Sequence, residues 1–213
     1  MLTLGVLVSG TGSNLQAILN AIAAGTLPCR VGVVVSNRPQ APALARAERA
    51  GVPTHVVDHR RYATREAFDA VLAAILQQAG VELVVLAGFD RLLTPAFLDP
   101  FAGRVLNIHP ALLPAFKGLR AQRQAIDYGV RVSGATVHFV DAELDHGPIV
   151  LQAAVAVAQD DTEESLARRI LEVEHRIYPE AIRLFAEGKL TIEGRRVRIA
   201  GGNAPLPPPL LPV

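Results

Sequence analysis

The feature that most constrains this chain is the form of its apolar segments. Residues 2–8, 30–36, 54–57, 82–87 and 104–107 are runs of aliphatic and β-branched residues with no polar alternation. Segments of helical spacing stand between most of them: Leu15, Ile18, Leu19 and Ile22 in residues 14–24, a short stretch at 43–50, and Phe68, Val71, Leu72 and Ile75 in residues 64–79. A short helix over 95–101 leads to the fifth run. A strand that is apolar on both sides must be covered on both faces, and parallel strands need helical crossovers. The pattern predicts an α/β fold, a Rossmann-like, doubly wound, mostly parallel sheet.

After residue 107 the pattern changes. Residues 108–119 are marked by proline and lack a period. Residues 120–128 read as a short helix. Residues 132–140 and 148–157 read as two antiparallel strands joined by a return at 141–147. A long C-terminal helix follows over 162–187, with Leu166, Ile170, Val173, Ile177, Ala181 and Leu184 on one side. Residues 190–192 and 197–199 flank a small terminal hairpin, and residues 204–213 hold five prolines in ten positions. The expected organisation is a single domain over 1–203 and a disordered, proline-rich tail over 204–213.

Half the residues are hydrophobic, which supports a sizeable core and argues against disorder in the body of the chain. A formal net charge of +1 argues against a nucleic-acid platform or a polybasic membrane binder. The longest apolar stretches, 81–89 and 153–158, fall short of the ~20 residues a membrane span needs. The N-terminus lacks the basic region and cleavage site of a signal peptide. One cysteine, Cys29, forms no internal disulfide, and this usage fits a reducing cytoplasm. The six histidines show no metal-ligand spacing, so no metal is expected.

Three constellations carry chemistry. Gly10-Thr11-Gly12-Ser13-Asn14 joins the first strand to the first helix, where backbone amides and the helix N-terminus favour an anion. Leu15 stands where the dinucleotide fingerprint requires its third glycine, so a phosphate monoester is the better match. Asn107 and His109, two apart, leave the carboxyl end of a strand on the same side; an amide and an imidazole placed so can hold a developing oxyanion. The turn after residue 140 brings Asp141, Glu143 and Asp145. A carboxylate beside His109 would favour the imidazolium. Each segment alone also has a plain structural reading as a glycine turn, a core histidine or a solvated acidic cap.

Taken together, GTGSNLQA, LNIHPALLP, GATVHFV and DHGPIVLQ resemble the phosphoribosylglycinamide formyltransferases of purine synthesis from residue 2 to about 190. The resemblance implies an enzyme in which the primary amine of glycinamide ribonucleotide attacks the formyl carbon of 10-formyltetrahydrofolate. Asn107 and protonated His109 then stabilise the oxyanion, and Asp145 holds His109. It also implies that Gly12, Ser13 and Asn14 bind the substrate phosphate. Glu174, read on the polar flank of the long helix, meets the ribose or glycinamide end. Arg65, Phe89, Asp90, Arg91, Leu92, Leu93, Val140, Asp141, Ala142, Glu143 and Leu144 form the folate side. The implied partners are these small molecules alone, without nucleic acid or membrane, in a monomer or homodimer.

The chain departs from the family pattern at several positions. Asp90 stands in place of a methionine, Ala111 of a serine, Arg120 and Gln122 of histidines, and His146 of a glycine or other small residue. Formyltetrahydrofolate deformylase shares the asparagine, histidine and aspartate but carries a further N-terminal domain, and methionyl-tRNA formyltransferase carries a basic C-terminal one. A Rossmann-like oxidoreductase is disfavoured by Leu15. A non-catalytic phosphate or folate binder is the remaining alternative.

Overall fold

The computed structural model describes residues 1–201. The proline-rich segment 204–213 lies outside the described residues, so the expectation of a disordered tail is not addressed there. Two compact units divide the chain, residues 1–107 and 108–213.

The first unit holds β1 (Leu2–Val8), α1 (Ser13–Ala23), β2 (Cys29–Ser36), α2 (Pro42–Arg49), β3 (Thr54–Val56), α3 (Arg65–Gln78), β4 (Leu83–Leu86) and α4 (Pro95–Leu98). It also starts β5 (Val105–His109). All its strands pair in parallel, in the order β3-β2-β1-β4-β5. The order reverses direction between β1 and β4, the point at which open α/β sheets place ligands beyond the strand ends. The buried aliphatic side chains explain the unbroken apolar runs: Val6, Leu7 and Val8 of β1 and every residue of β4 are enclosed. Helix α1 seals one such surface with Leu15 and Ile18, both fully buried. Removing the side chain of one such leucine would cost roughly 2–5 kcal/mol.

Apart from single-residue shifts at element ends, the structure differs from the sequence reading at three turns or boundaries of this part of the chain. β5 continues through His109 instead of stopping at Asn107. The expected helix over 95–101 divides into α4 and a single 3₁₀ turn, Asp99–Phe101, where Pro100 interrupts α-helical bonding. A further 3₁₀ turn, His59–Arg61, is capped by the Asp58 carboxylate, a local side-chain bond that no periodicity signals.

Asp69 of α3 is buried and its Oδ2 accepts the Thr94 backbone N–H at 2.6 Å, tying α3 to the start of α4. Desolvation raises its pKa above the ordinary carboxylate value, against the Thr94 bond. The folded chain therefore holds this proton more tightly than the unfolded one. Its contribution to stability is full at acidic pH, below the unfolded value, and is lost as pH rises through the folded value. Asp69→Asn, which keeps an acceptor for Thr94, is expected to be more stable than the parent near pH 7 and to show a flatter acid-side profile. Chemical denaturation between pH 3 and 7 measures this; equal stabilities throughout would contradict it.

The second unit contains the end of β5, α5 (Ala121–Tyr128), β6 (Val132–Phe139), β7 (Ile149–Ala156), α6 (Glu163–Ala186), β8 (Leu190–Glu193) and β9 (Arg196–Ile199). β6 and β7 pair antiparallel, as do β8 and β9, and β9 adds in parallel to β7 at Ile149 and Arg196. A capping box starts α6: Thr162 Oγ1 accepts from Ser165 N and Ser165 Oγ from Thr162 N. Just before it, Arg169 and Ser165 bind the Asp161 carboxylate, with Arg169 foremost in holding it well below the usual carboxylate range.

The α/β class, the long helix and the antiparallel strand pairs agree with the sequence reading. The buried stripe of α6 agrees at Leu166, Ile170, Ile177, Ala181 and Leu184, but Val173 is only half-buried and Glu174 is buried. Glu174 therefore lies on the buried face and not on the polar flank. The apolar count misplaced it because a charged residue at the correct 4-residue spacing was assigned outward by type.

Candidate functional site

In the first unit, Gly12 caps α1 in the left-handed region at φ 73°. A Cβ there would meet the Ala43 Cβ at 2.6 Å and its Cα at 2.8 Å, so α1 and α2 approach as closely as they do only with glycine at this position. The first turn of a helix leaves amides without intrahelical acceptors, and at residues 13–15 of α1 such amides favour an anion. Ser13 is half-buried and Asn14 is buried. Arg46 of α2 braces the turn through its Nε, which donates to the Thr11 carbonyl at 2.8 Å.

Across the switch point, Asp90 is drawn into a polar cluster at the ends of β1 and β2. Its Oδ1 accepts Ser9 Oγ at 2.8 Å and Asn37 Nδ2 at 2.9 Å, and Arg38 pairs with its Oδ2. Burial works against the charge, but the bonds from Asn37 and Ser9 and the Arg38 guanidinium outweigh it and lower the pKa. Among the other expected folate-side residues of this unit, Leu93 is buried, Phe89 and Arg91 are half-buried, and Leu92 is exposed. Arg65 is exposed and donates from Nη2 to the Leu92 carbonyl at 2.8 Å, so these two positions do meet. Asn107, half-buried on β5, precedes His109 by two residues on the same side of the strand.

In the second unit, His109 is buried, and its Nδ1 lies 3.4 Å from Asp145 Oδ2. Its Nε2 lies 2.8 Å from the Phe116 carbonyl. Both ring nitrogens thus face acceptors, an arrangement in which only the ring carrying both protons donates at each side. Asp145 sits in the left-handed region at φ 45°, and its Oδ2 accepts the Gly118 amide at 2.7 Å. His138, on β6, points its Nε2 toward Asp145 Oδ1 at 3.8 Å and donates from Nδ1 to the Phe139 carbonyl at 2.8 Å. Burial lowers its pKa and favours the neutral ring.

The structure thus brings His109 and Asp145 together as the sequence led one to expect. The Phe116 carbonyl and Gly118 amide escaped sequence reasoning because they are main-chain groups. His138 also lies beside Asp145, and its position in a fully buried strand run was the available signal in the sequence. In the turn after β6, Val140 and Asp141 are half-buried, and Ala142, Glu143 and Leu144 are exposed. Burial raises the Cys29 thiol to about 11, which leaves it a core residue without thiolate character near neutral pH. Among the described residues no group of three or more His, Cys, Asp or Glu side chains is arranged to hold a metal ion. No helix among them is long and apolar enough to cross a membrane.

Strand-end amide and imidazole, paired carboxylate and glycine-capped helix occur here in a chain that belongs to the formyl transferase family, whose sequence model matches residues 3–182. Over 200 residues it is 44% identical to the phosphoribosylglycinamide formyltransferase of Escherichia coli (strain K12), covering 94% of each chain. It is 46% identical over 187 residues to the trifunctional purine biosynthetic protein adenosine-3 of Gallus gallus, covering 88% of this chain. The chain spans about a fifth of that relative's length, 19%. Among solved structures, glycinamide ribonucleotide transformylase 1 from Symbiobacterium toebii superposes with a TM-score of 0.92 at 61% identity, covering 93% of this chain and 94% of that one.

Proposed function

We propose that the chain transfers the formyl group of 10-formyltetrahydrofolate to the primary amine of glycinamide ribonucleotide, a step of purine biosynthesis. The observation that carries this reading is the buried His109–Asp145 pair at the end of the strand bearing Asn107, within a formyl transferase chain. The amine nitrogen attacks the formyl carbon and a C–N bond forms. The carbonyl π electrons move to oxygen, and the Asn107 amide and the His109 imidazolium meet that charge. Collapse of the tetrahedral intermediate breaks the bond to N10 of the folate. The proton lost by the attacking amine ends on that departing nitrogen, and the products are formylglycinamide ribonucleotide and tetrahydrofolate.

In this reading the amides at Gly12, Ser13 and Asn14 hold the ribonucleotide phosphate, and buried Glu174 meets its ribose or glycinamide end. Arg65, Phe89, Asp90, Arg91, Leu92 and Leu93, with residues 140–144, form the folate side. Asp90 serves there through its cluster with Ser9 and Asn37 and not as an apolar wall. The enzyme works on small molecules in the cytoplasm, as a monomer or homodimer, without a metal.

An absorbance assay of tetrahydrofolate release with and without glycinamide ribonucleotide tests the proposal. Release is expected only with the amine present. Release that ignores the amine would instead make the chain a formyltetrahydrofolate hydrolase, and binding of both ligands without turnover would make it a binding protein.

A further inference from the structure

The residue after Asp145 is His146, and it is spanned by an arginine from the far end of the second unit. Arg195 lies in the turn between β8 and β9. Its Nη2 donates to the His146 carbonyl at 2.7 Å and its Nη1 to His146 Nε2 at 2.8 Å, the same Nη1 lying 3.3 Å from Nδ1. The other side of the ring closes the span, with His146 Nδ1 donating to Asp141 Oδ2 at 2.8 Å. Asp141 Oδ1 accepts the Glu143 amide at 3.0 Å, and Glu143 Oε2 approaches His146 Nε2 at 3.9 Å. The turn from 141 to 146 is thereby pinned at both ends of its side-chain network.

We infer that Arg195 and His146 are positioning residues for the reaction, a clamp that fixes the backbone of the turn so that the Asp145 carboxylate stays against His109. Three observations support this. Among the described residues Asp145 is one of three non-glycine residues in the left-handed region, a strained conformation that persists only where neighbours impose it. The peptide leaving it is the one Arg195 holds through the His146 carbonyl. The residue beyond, Gly147, is locked from the opposite side: a Cβ there would lie 1.9 Å from the Phe139 carbonyl oxygen. With the chain held at 146 and 147, the Asp145 backbone stays where its carboxylate meets Gly118 and His109. The His146 ring bridges Arg195 and Asp141 in its neutral form, Nε2 accepting and Nδ1 donating.

The inference rests on the reading of Asp145 as a catalytic residue, and the experiment separates the two. Arg195→Met keeps the aliphatic stem and removes the donors. Its kcat for formyl transfer is expected to fall about tenfold, since a displacement of the order of 1 Å at a reacting group is worth that much or more. The KM for glycinamide ribonucleotide should stay within about twofold, because the phosphate turn is untouched. His146→Gln, which retains an acceptor near the Nε2 position, should recover most of the rate that His146→Ala loses. In an Asp145→Asn background, Arg195→Met should add no further loss. A kcat unchanged in Arg195→Met, while Asp145→Asn is inactive, would overturn the clamp and leave the catalytic role of Asp145 standing. Full activity of Asp145→Asn would overturn that role and the clamp with it. Equal loss in His146→Gln and His146→Ala would also overturn the clamp.

Discussion

His109→Ala is expected to lower kcat by about 10²–10³-fold, with the KM values for amine and formyl donor moved far less. The reasoning is differential. A formyl carbonyl in the ground state carries only a partial negative charge on oxygen, whereas the tetrahedral intermediate carries nearly a full one. A donor fixed beside that oxygen is therefore worth most at the top of the barrier. His109 is enclosed, so water cannot replace it as a donor without the cost of solvating a buried space. Asn107→Ala should show the same signature for the same reason. Asp145→Asn is the sharper variant. It preserves shape and an acceptor for the Gly118 amide but removes the charge that lies 3.4 Å from His109 Nδ1. Its kcat should drop by a comparable factor with an unchanged circular dichroism spectrum. Variants of all three residues within about threefold of the parent would remove the chemistry proposed for this strand end.

Gly12→Ala is expected to raise the KM for glycinamide ribonucleotide at least tenfold and to lower the melting temperature by several degrees. Two costs combine. A non-glycine residue at φ 73° pays roughly 1–2 kcal/mol, and pushing a methyl against Ala43 at 2.6 Å adds roughly 1–3 kcal/mol of overpacking. The chain can relieve the contact only by moving α1 from α2, which displaces the amides assigned to the phosphate. Gly10→Ala is the matched control. It has no left-handed torsion, and its Cβ would meet nothing within 4 Å, so the melting temperature should change little. Calorimetry and steady-state kinetics on the pair measure both effects. If Gly12→Ala loses stability yet binds the ribonucleotide normally, the turn is structural and the phosphate lies elsewhere.

The core of the fold was legible because it depends on patterns that sequence displays. Strands covered on both faces have no polar positions, so residues 2–8 and 82–87 declared themselves, and helix faces at 15, 18 and 72 followed from spacing. Asn107, His109 and Asp145 were legible through resemblance, and only their residue types and the strand alternation spoke independently. What escaped has physical causes. Glu174 was assigned outward because charge outweighed position in the count, although the buried stripe of α6 runs through it. Asp90 stood out only as a departure from the family's methionine, and its partners Ser9, Asn37 and Arg38 lie 81, 53 and 52 positions away. Contacts over such separations, like the span from Arg195 to His146, leave no trace in local periodicity.

The extension of β5 through His109 carries one more implication. With both proposed oxyanion donors on the same extended ribbon and a single residue between them, their Cα separation is set by the strand rise, about 6.6 Å for two residues, and not by loop conformation. Substrate range can then drift through insertions and substitutions in the surrounding turns while the ruler that measures the reacting carbonyl keeps its length.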